Sequence, residues 1–205
     1  MEININIDNY RHLRFNFFKW RYETKYVYKL FLALGFALLT AIFAQVRFYL
    51  PGNSLVPITG QTFAVLLAGV LLGRWGGISQ CIYVGIGFMG VPWFASVTGS
   101  TFGYLFGFIL SAFFLGFMTE RYIKSRNFSR ILPLMLFTDF VLILIPGAIV
   151  LYYWWNSFIG SIGFIEIVSI AILPFIIGDI LKAITAAVVA KVILPKKAYG
   201  PEFCI

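Results

Sequence analysis

The sequence predicts an all-α integral membrane protein of six transmembrane helices, with both termini on the cytoplasmic side. Three observations predict it. The 205 residues are 60% hydrophobic and 12% charged, with a mean hydropathy of +0.90. Soluble domains carry about twice that charge fraction. Nearly every long segment is apolar, and roughly 20 apolar residues span a bilayer. Six spans then fill the chain and leave no room for a separate soluble domain. The third observation is where the basic residues fall. With the N-terminus inside and six alternating spans, fourteen of the 16 Lys and Arg lie inside, Arg47 lies outside and Lys182 stays within the membrane. Cytoplasmic loops carry such an excess.

Each element follows from local signals. Residues 1–28 are polar, basic and aromatic, and read as a cytoplasmic segment facing lipid headgroups. A single membrane domain covers 29–194, and 195–205 form a cytoplasmic tail. The first span covers 29–50 and stops before the breakers Pro51-Gly52-Asn53. Residues 51–60 form an outer loop. The second span, 61–73, is short, and Gly73-Arg74-Trp75-Gly76-Gly77 reads as a turn. The third runs over 78–91 with Pro92 at its exit, and the fourth over 102–118. A charged loop, Glu120 to Arg130, leads into the fifth span, 131–153. Trp154 and Trp155 suit an interface. Residues 156–173 read as an apolar connector along the outer surface, with Glu166 a solvated interfacial charge. The sixth span starts near Pro174–Gly178 and ends near 194; Pro is favoured in a first turn.

Several function classes are excluded. Basic and aromatic residues interleave between Tyr10 and Tyr28, but in a chain this apolar that pattern faces lipid rather than nucleic acid. No G-x-x-x-x-G-K-[ST] phosphate loop occurs, so ATP is not hydrolysed by that motif. The one histidine, His12, lies in the basic segment, which argues against a Ser-His-Asp centre or a His-ligated intramembrane metal. Cys81 and Cys204 lie too far apart in sequence for a metal or disulfide framework. No cofactor is implied. Residues 1–28 lack the apolar core of a cleavable signal peptide.

The polar residues inside apolar runs are the candidates for function. Asp179 and Lys182 are three apart and share a helix face. An isolated charge at mid-membrane costs roughly 2.5–3.5 kcal/mol, which pairing offsets in part. The pair suits a pocket in which Lys182 donates to a carboxylate or carbonyl and Asp179 accepts from an N–H. A purely structural ion pair is the alternative. Thr59, Gln61, Ser96, Thr98 and Thr101 fall on the same outer side, which implies an outward-facing pocket. Trp93, Phe94 and Tyr104 border the turn at 92–101. They suit stacking on a ring-shaped ligand, and equally a belt or core role. Ala33, Ala37 and Ala41 recur every four residues, a smooth face for a neighbouring helix inside the bundle or in a partner. Asp139 is expected to pair with Arg130 or another loop arginine.

Four ordered blocks carry a resemblance: Val56-Pro-Ile-Thr-Gly-Gln-Thr-Phe-Ala-Val-Leu-Leu-Ala-Gly with Leu71-Leu-Gly, Gly90-Val-Pro-Trp-Phe-Ala95, Gly103-Tyr-Leu-Phe-Gly-Phe108, and Leu173-Pro-Phe-Ile-Ile-Gly-Asp-Ile-Leu-Lys182. From about residue 29 to 194 the chain resembles the BioY family, the biotin-specific substrate-binding (S) components of energy-coupling factor (ECF) transporters. The resemblance implies an S-component fold that captures biotin from outside and no catalytic activity. It implies partners: a transmembrane coupling subunit and two ATPase subunits. It assigns Asp179 and Lys182 to the biotin site and the loop at 51–60 to its cover. Gln61, Thr59, Trp93, Ser96 and Tyr104 complete the expected ligand set, and Ala33, Ala37 and Ala41 the expected docking face.

The chain departs from the family pattern at three places. The turn 96–102 is short, with Phe102 where Gly is common. Ile177 replaces a usual Pro, and Gly60 stands where a larger apolar residue is common. Rival readings are a solitary biotin facilitator, an S component for another vitamin, and an intramembrane enzyme pairing Asp139 with Asp179. The expected topology puts those two acids near opposite membrane faces.

Overall fold

The computed structural model describes residues 2–50, 53–95, 97 and 99–200. The N-terminal segment is helical: α1 spans Glu2–Glu23. It is packed on the bundle rather than free in the headgroups. Phe18 is buried, and the Arg21 guanidinium lies over the Phe18 ring. After a two-residue break, α2 spans Tyr26–Gln45. It ends five residues earlier than expected. Val46, Phe48 and Tyr49 favour an extended chain, and strand β1 (Arg47–Leu50) follows directly. The expected outer loop is largely strand β2, Asn53–Thr59. The two strands pair antiparallel, Arg47 opposite Thr59 and Phe48 opposite Ile58. Pro51 and Gly52 lie outside the described residues.

Helices α3 (Gln61–Leu72) and α4 (Arg74–Phe88) are joined by Gly73 alone. The expected turn at 73–77 is thus one residue, and Arg74 to Gly77 form the first turn of α4. Gly73 has φ 64°, a left-handed conformation that glycine adopts without a steric cost. A side chain there would also collide with the Glu120 carboxyl. At 12 residues α3 is about 18 Å long, well short of a bilayer core of about 30 Å.

Helix α5 spans Phe102–Arg121. The expected charged loop closes into a short 3-10 turn, Ile123–Arg126. A 31-residue rod, Phe128–Phe158, then contains α6 (Phe128–Phe137), a π-helical segment (Thr138–Leu144) and α7 (Ile145–Phe158). Pro146 follows the π segment, cannot donate to the turn before it, and so loosens that turn. The rod packs antiparallel on α5 at glycines: Gly103 abuts Pro146 and Gly107 abuts Leu142, with no space for a Cβ. The connector is itself mostly helical, α8 (Phe164–Ala171), and Glu166 Oε2 accepts from the Gly163 N–H, 3.1 Å, at its start. Helix α9 spans Leu173–Ile193 with Pro174 in its first turn. Trp154 packs against Gly99 rather than standing free at an interface.

Among the described residues, four stretches are long and apolar enough to cross a membrane: Tyr26–Gln45, Phe102–Arg121, Phe128–Phe158 and Phe164–Ile193. The chain is a multi-pass membrane protein. Its interior divides into two apolar clusters. One gathers Tyr83, Tyr104, Phe108, Ile143 and Phe175 towards the hairpin. The other gathers Phe18, Leu66, Leu115, Met135 and Tyr199 towards α1 and the tail.

Candidate functional site

A cavity of about 250 Å³ lies beneath the β1–β2 hairpin, enclosed by α3, α4, α5, the π segment and α9. Its wall is mainly apolar, from Val56, Leu105, Phe108, Ile143, Leu144 and Phe175. Polar side chains interrupt that wall, among them Arg47, Gln61, Tyr83, Asp179 and Lys182, so apolar surface meets convergent polar groups, the pattern of a small-molecule site.

The strongest polar feature is the ion pair on α9. Lys182 Nζ donates to Asp179 Oδ1 at 2.6 Å; Asp179 is 1% exposed and Lys182 17%. Pro174 starts α9 close by, so both residues fall in its first three turns, three apart on one face. The start of α3 supplies a second group. Thr59 Oγ1 donates to Gln61 Oε1 at 2.7 Å, which orients the amide so that Gln61 Nε2 donates to the Tyr83 hydroxyl. Tyr104, from α5, donates through its hydroxyl to the Ala171 carbonyl at 2.9 Å and keeps its ring on the cavity. Asp179, Lys182, Gln61, Thr59 and Tyr104 therefore surround one cavity, together with Thr101 and Phe94.

One expected member is not on the lining. Trp93 is 66% exposed and points away; its backbone is in the left-handed region at φ 78°, and its carbonyl accepts from Gln45 Nε2. Ser96 lies outside the described residues, as does Thr98. The alanine face is buried in this conformation. Ala33, Ala37 and Ala41 are 0%, 0% and 3% exposed. Helix α2 packs on α3 and α4, so here the small residues lie in close packing within the chain.

Asp139 departs from expectation as well. It does not meet Arg130, which is exposed. The carboxyl is fully buried, neither oxygen has a hydrogen-bond partner, and it lies within electrostatic range of Asp179 and Lys182. The two acids are therefore neighbours rather than occupants of opposite membrane faces.

Sequence reasoning missed several lining residues, Arg47 and Tyr83 among them. Arg47 on β1 faces the cavity, its Nη2 donating to Gln45 Oε1 at 2.9 Å. It counted only as a lone outer charge, although an arginine beside aromatic residues near a loop is a usable signal. Tyr83 gave no signal, since one tyrosine in an apolar helix is ordinary. Among the described residues no cluster of His, Cys, Asp and Glu is arranged to hold a metal ion.

The chain matches the model of the BioY family over residues 15–198. It is 47% identical over 148 residues to a protein of Methanothermobacter thermautotrophicus described as "Probable biotin transporter BioY", covering 68% of this chain and 94% of that one. A "Biotin transporter BioY" of Thermotoga maritima is 34% identical over 143 residues, 66% of this chain and 79% of the relative. Among solved structures, the S-component for biotin from an ECF-type ABC transporter superposes with a TM-score of 0.68 at 25% identity, covering 80% of this chain and 89% of that one. By match length and identity alike, the chain belongs to the BioY family.

Proposed function

We propose that this chain is the biotin-binding S component of an ECF-type transporter. It takes biotin into the cavity under the hairpin and catalyses no reaction. A separate transmembrane coupling subunit and two ATPase subunits supply the energy. The observation that carries this reading is the buried Asp179–Lys182 pair on the wall of an apolar cavity, in a chain whose relatives are named biotin transporters.

The chemistry of the wall matches biotin group by group. Its apolar bicyclic ring fits between Phe108, Ile143 and Phe175. The ureido N–H donates to Asp179 and the ureido carbonyl accepts from Lys182. The ligand carboxylate reaches Arg47, whose guanidinium suits bidentate recognition. Gln61, held by Thr59 and Tyr83, and Tyr104 shape the sides. Each charged group gains a partner on binding, which offsets the cost of removing it from water. Six spans with both termini cytoplasmic remain the proposed topology, with 29–194 as the membrane domain between the cytoplasmic 1–28 and 195–205.

Isothermal titration of the detergent-solubilised protein with biotin, after co-purified ligand is stripped, tests the reading. One-to-one saturable binding is expected. A folded, ligand-free sample that binds no biotin overturns it.

A further inference from the structure

Asp139 is a fully buried carboxyl to which no side chain or backbone group donates. It sits in the π-helical segment Thr138–Leu144, one turn before Ile143 and Leu144, which line the cavity. The acid thus lies just beneath the cavity floor. Pi-helical turns inside α-helices are frequent at functional sites.

Its neighbours are defined by the packing of the rod on α5. Gly103 meets Pro146 and Gly107 meets Leu142. Four residues further along α5, Ser111 therefore reaches the level of Thr138 and Asp139. Ser111 is also fully buried, and its Oγ likewise has no partner. From α9, Asp179 and Lys182 act electrostatically on Asp139. Tyr104 on α5 is already bonded to the Ala171 carbonyl. On the rod itself Arg130 lies nine residues away, about 13 Å along the axis, and is exposed. Tyr152 and Tyr153 lie further off in the other direction, and Glu120 and Arg121 close the far end of α5.

Two buried carboxyls therefore lie within electrostatic range of one ammonium, which pairs with Asp179 alone. With both acids ionised, the cluster carries a net negative charge away from water, which is costly unless neutralised. One proton held among them removes that charge. Asp179 already accepts from Lys182 at 2.6 Å. Asp139 accepts from nothing, so it is the carboxyl on which the proton belongs.

We propose that Asp139 is a proton-holding member of the ligand site, keeping the Asp139–Asp179–Lys182 cluster neutral and making ligand binding proton-linked. When the proton leaves, Lys182 is drawn between two carboxylates and its donors are lost to the ligand. Affinity then falls as pH rises. The coupling to ligand rests on the biotin reading above; the proton site does not.

Two measurements on the full chain in detergent separate those parts. The first is infrared spectroscopy near neutral pH. Wild type should show the C=O stretch of a protonated carboxylic acid. Asp139→Asn should lose it, and Asp139→Glu, which keeps the carboxyl, should show it displaced. A band that persists in Asp139→Asn overturns the proton site. The second is biotin titration across a pH series. Wild-type affinity should fall by up to about tenfold per pH unit once the proton is released, the limiting slope for one linked proton. Asp139→Asn should be flat over the same range. Matching profiles in the two proteins overturn the linkage. If biotin does not bind but the band is lost in Asp139→Asn, the proton site stands and the ligand reading fails.

Discussion

At the end of the bundle closed by α1 and the tail, Arg126 is 1% exposed. Its guanidinium donates to the carbonyls of Thr119, Pro195 and Lys197 and lies 4.2 Å from the centre of the Tyr199 ring. Arg21, equally hidden, donates to the Leu71 carbonyl and the Tyr199 hydroxyl and faces Glu120 at 3.7 Å. At the hairpin end, by contrast, Asp139 and Ser111 are buried with nothing donating or accepting, and Lys182 leans on a single acid at the edge of a cavity. Both ends bury charge. At the first, the chain supplies partners to Arg126 and Arg21, although Arg14 Nε on α1 is buried without one, so their burial closes the fold. At the second, polar capacity is left over, which is the condition for a ligand to be worth binding.

If this contrast is sound, substitutions at the two ends should separate binding from stability. The largest effect is expected for Lys182→Ala. It strands Asp179 without a counter-charge, a loss of about 3–5 kcal/mol, and biotin affinity should drop more than about a hundredfold. Near-wild-type affinity on titration would break the contrast at the ligand end. Next comes Arg126→Ala, which leaves three carbonyls and Tyr199 without their cation. Unfolding should be easier by about 3 kcal/mol, while the folded fraction binds biotin normally. Thermal unfolding paired with titration reads both, and reduced affinity at full occupancy would show that the ends are not separable.

Smaller effects sharpen the boundary. Gly107→Ala puts a methyl against the Leu142 carbonyl. Overpacking of this kind costs about 2 kcal/mol. Because the contact lies beside the π segment, both melting temperature and affinity should fall. A fall in stability alone would detach that segment from the site. Tyr104→Phe removes one hydrogen bond to Ala171, worth about 1 kcal/mol. A several-fold weaker affinity with little change in melting is expected.

The sequence made some of this legible and hid the rest for physical reasons. Apolar runs bounded by Gly and Pro marked α3, α5 and α9 to within a few residues, because their ends are set by local backbone chemistry. The Asp179–Lys182 pair was readable because three-residue spacing on a helix fixes proximity. Helix α1 was hidden: its basics and aromatics show no clean stripe, and it is held by Phe18 and Arg21 meeting distant partners. The hairpin was hidden because Arg47 and Thr59 pair only through tertiary register. The alanine spacing gave a smooth face but not its direction, which in this conformation is towards α3 and α4. Asp139 was misjudged because distance along the chain suggested Arg130, whereas the fold brings α9 to it.

The π-helical stretch carries one further consequence. A π turn holds more residues than an α turn, so α7 is set at a different rotation from the one an unbroken helix would impose. Winding the same residues of Thr138–Leu144 into ordinary α turns would rotate everything after them by about one residue's step, roughly 100°. Pro146 and Gly147 would swing away from Gly103 and Tyr104, against which they now pack. In this part of the molecule, the width of one turn sets the facing of everything that follows it.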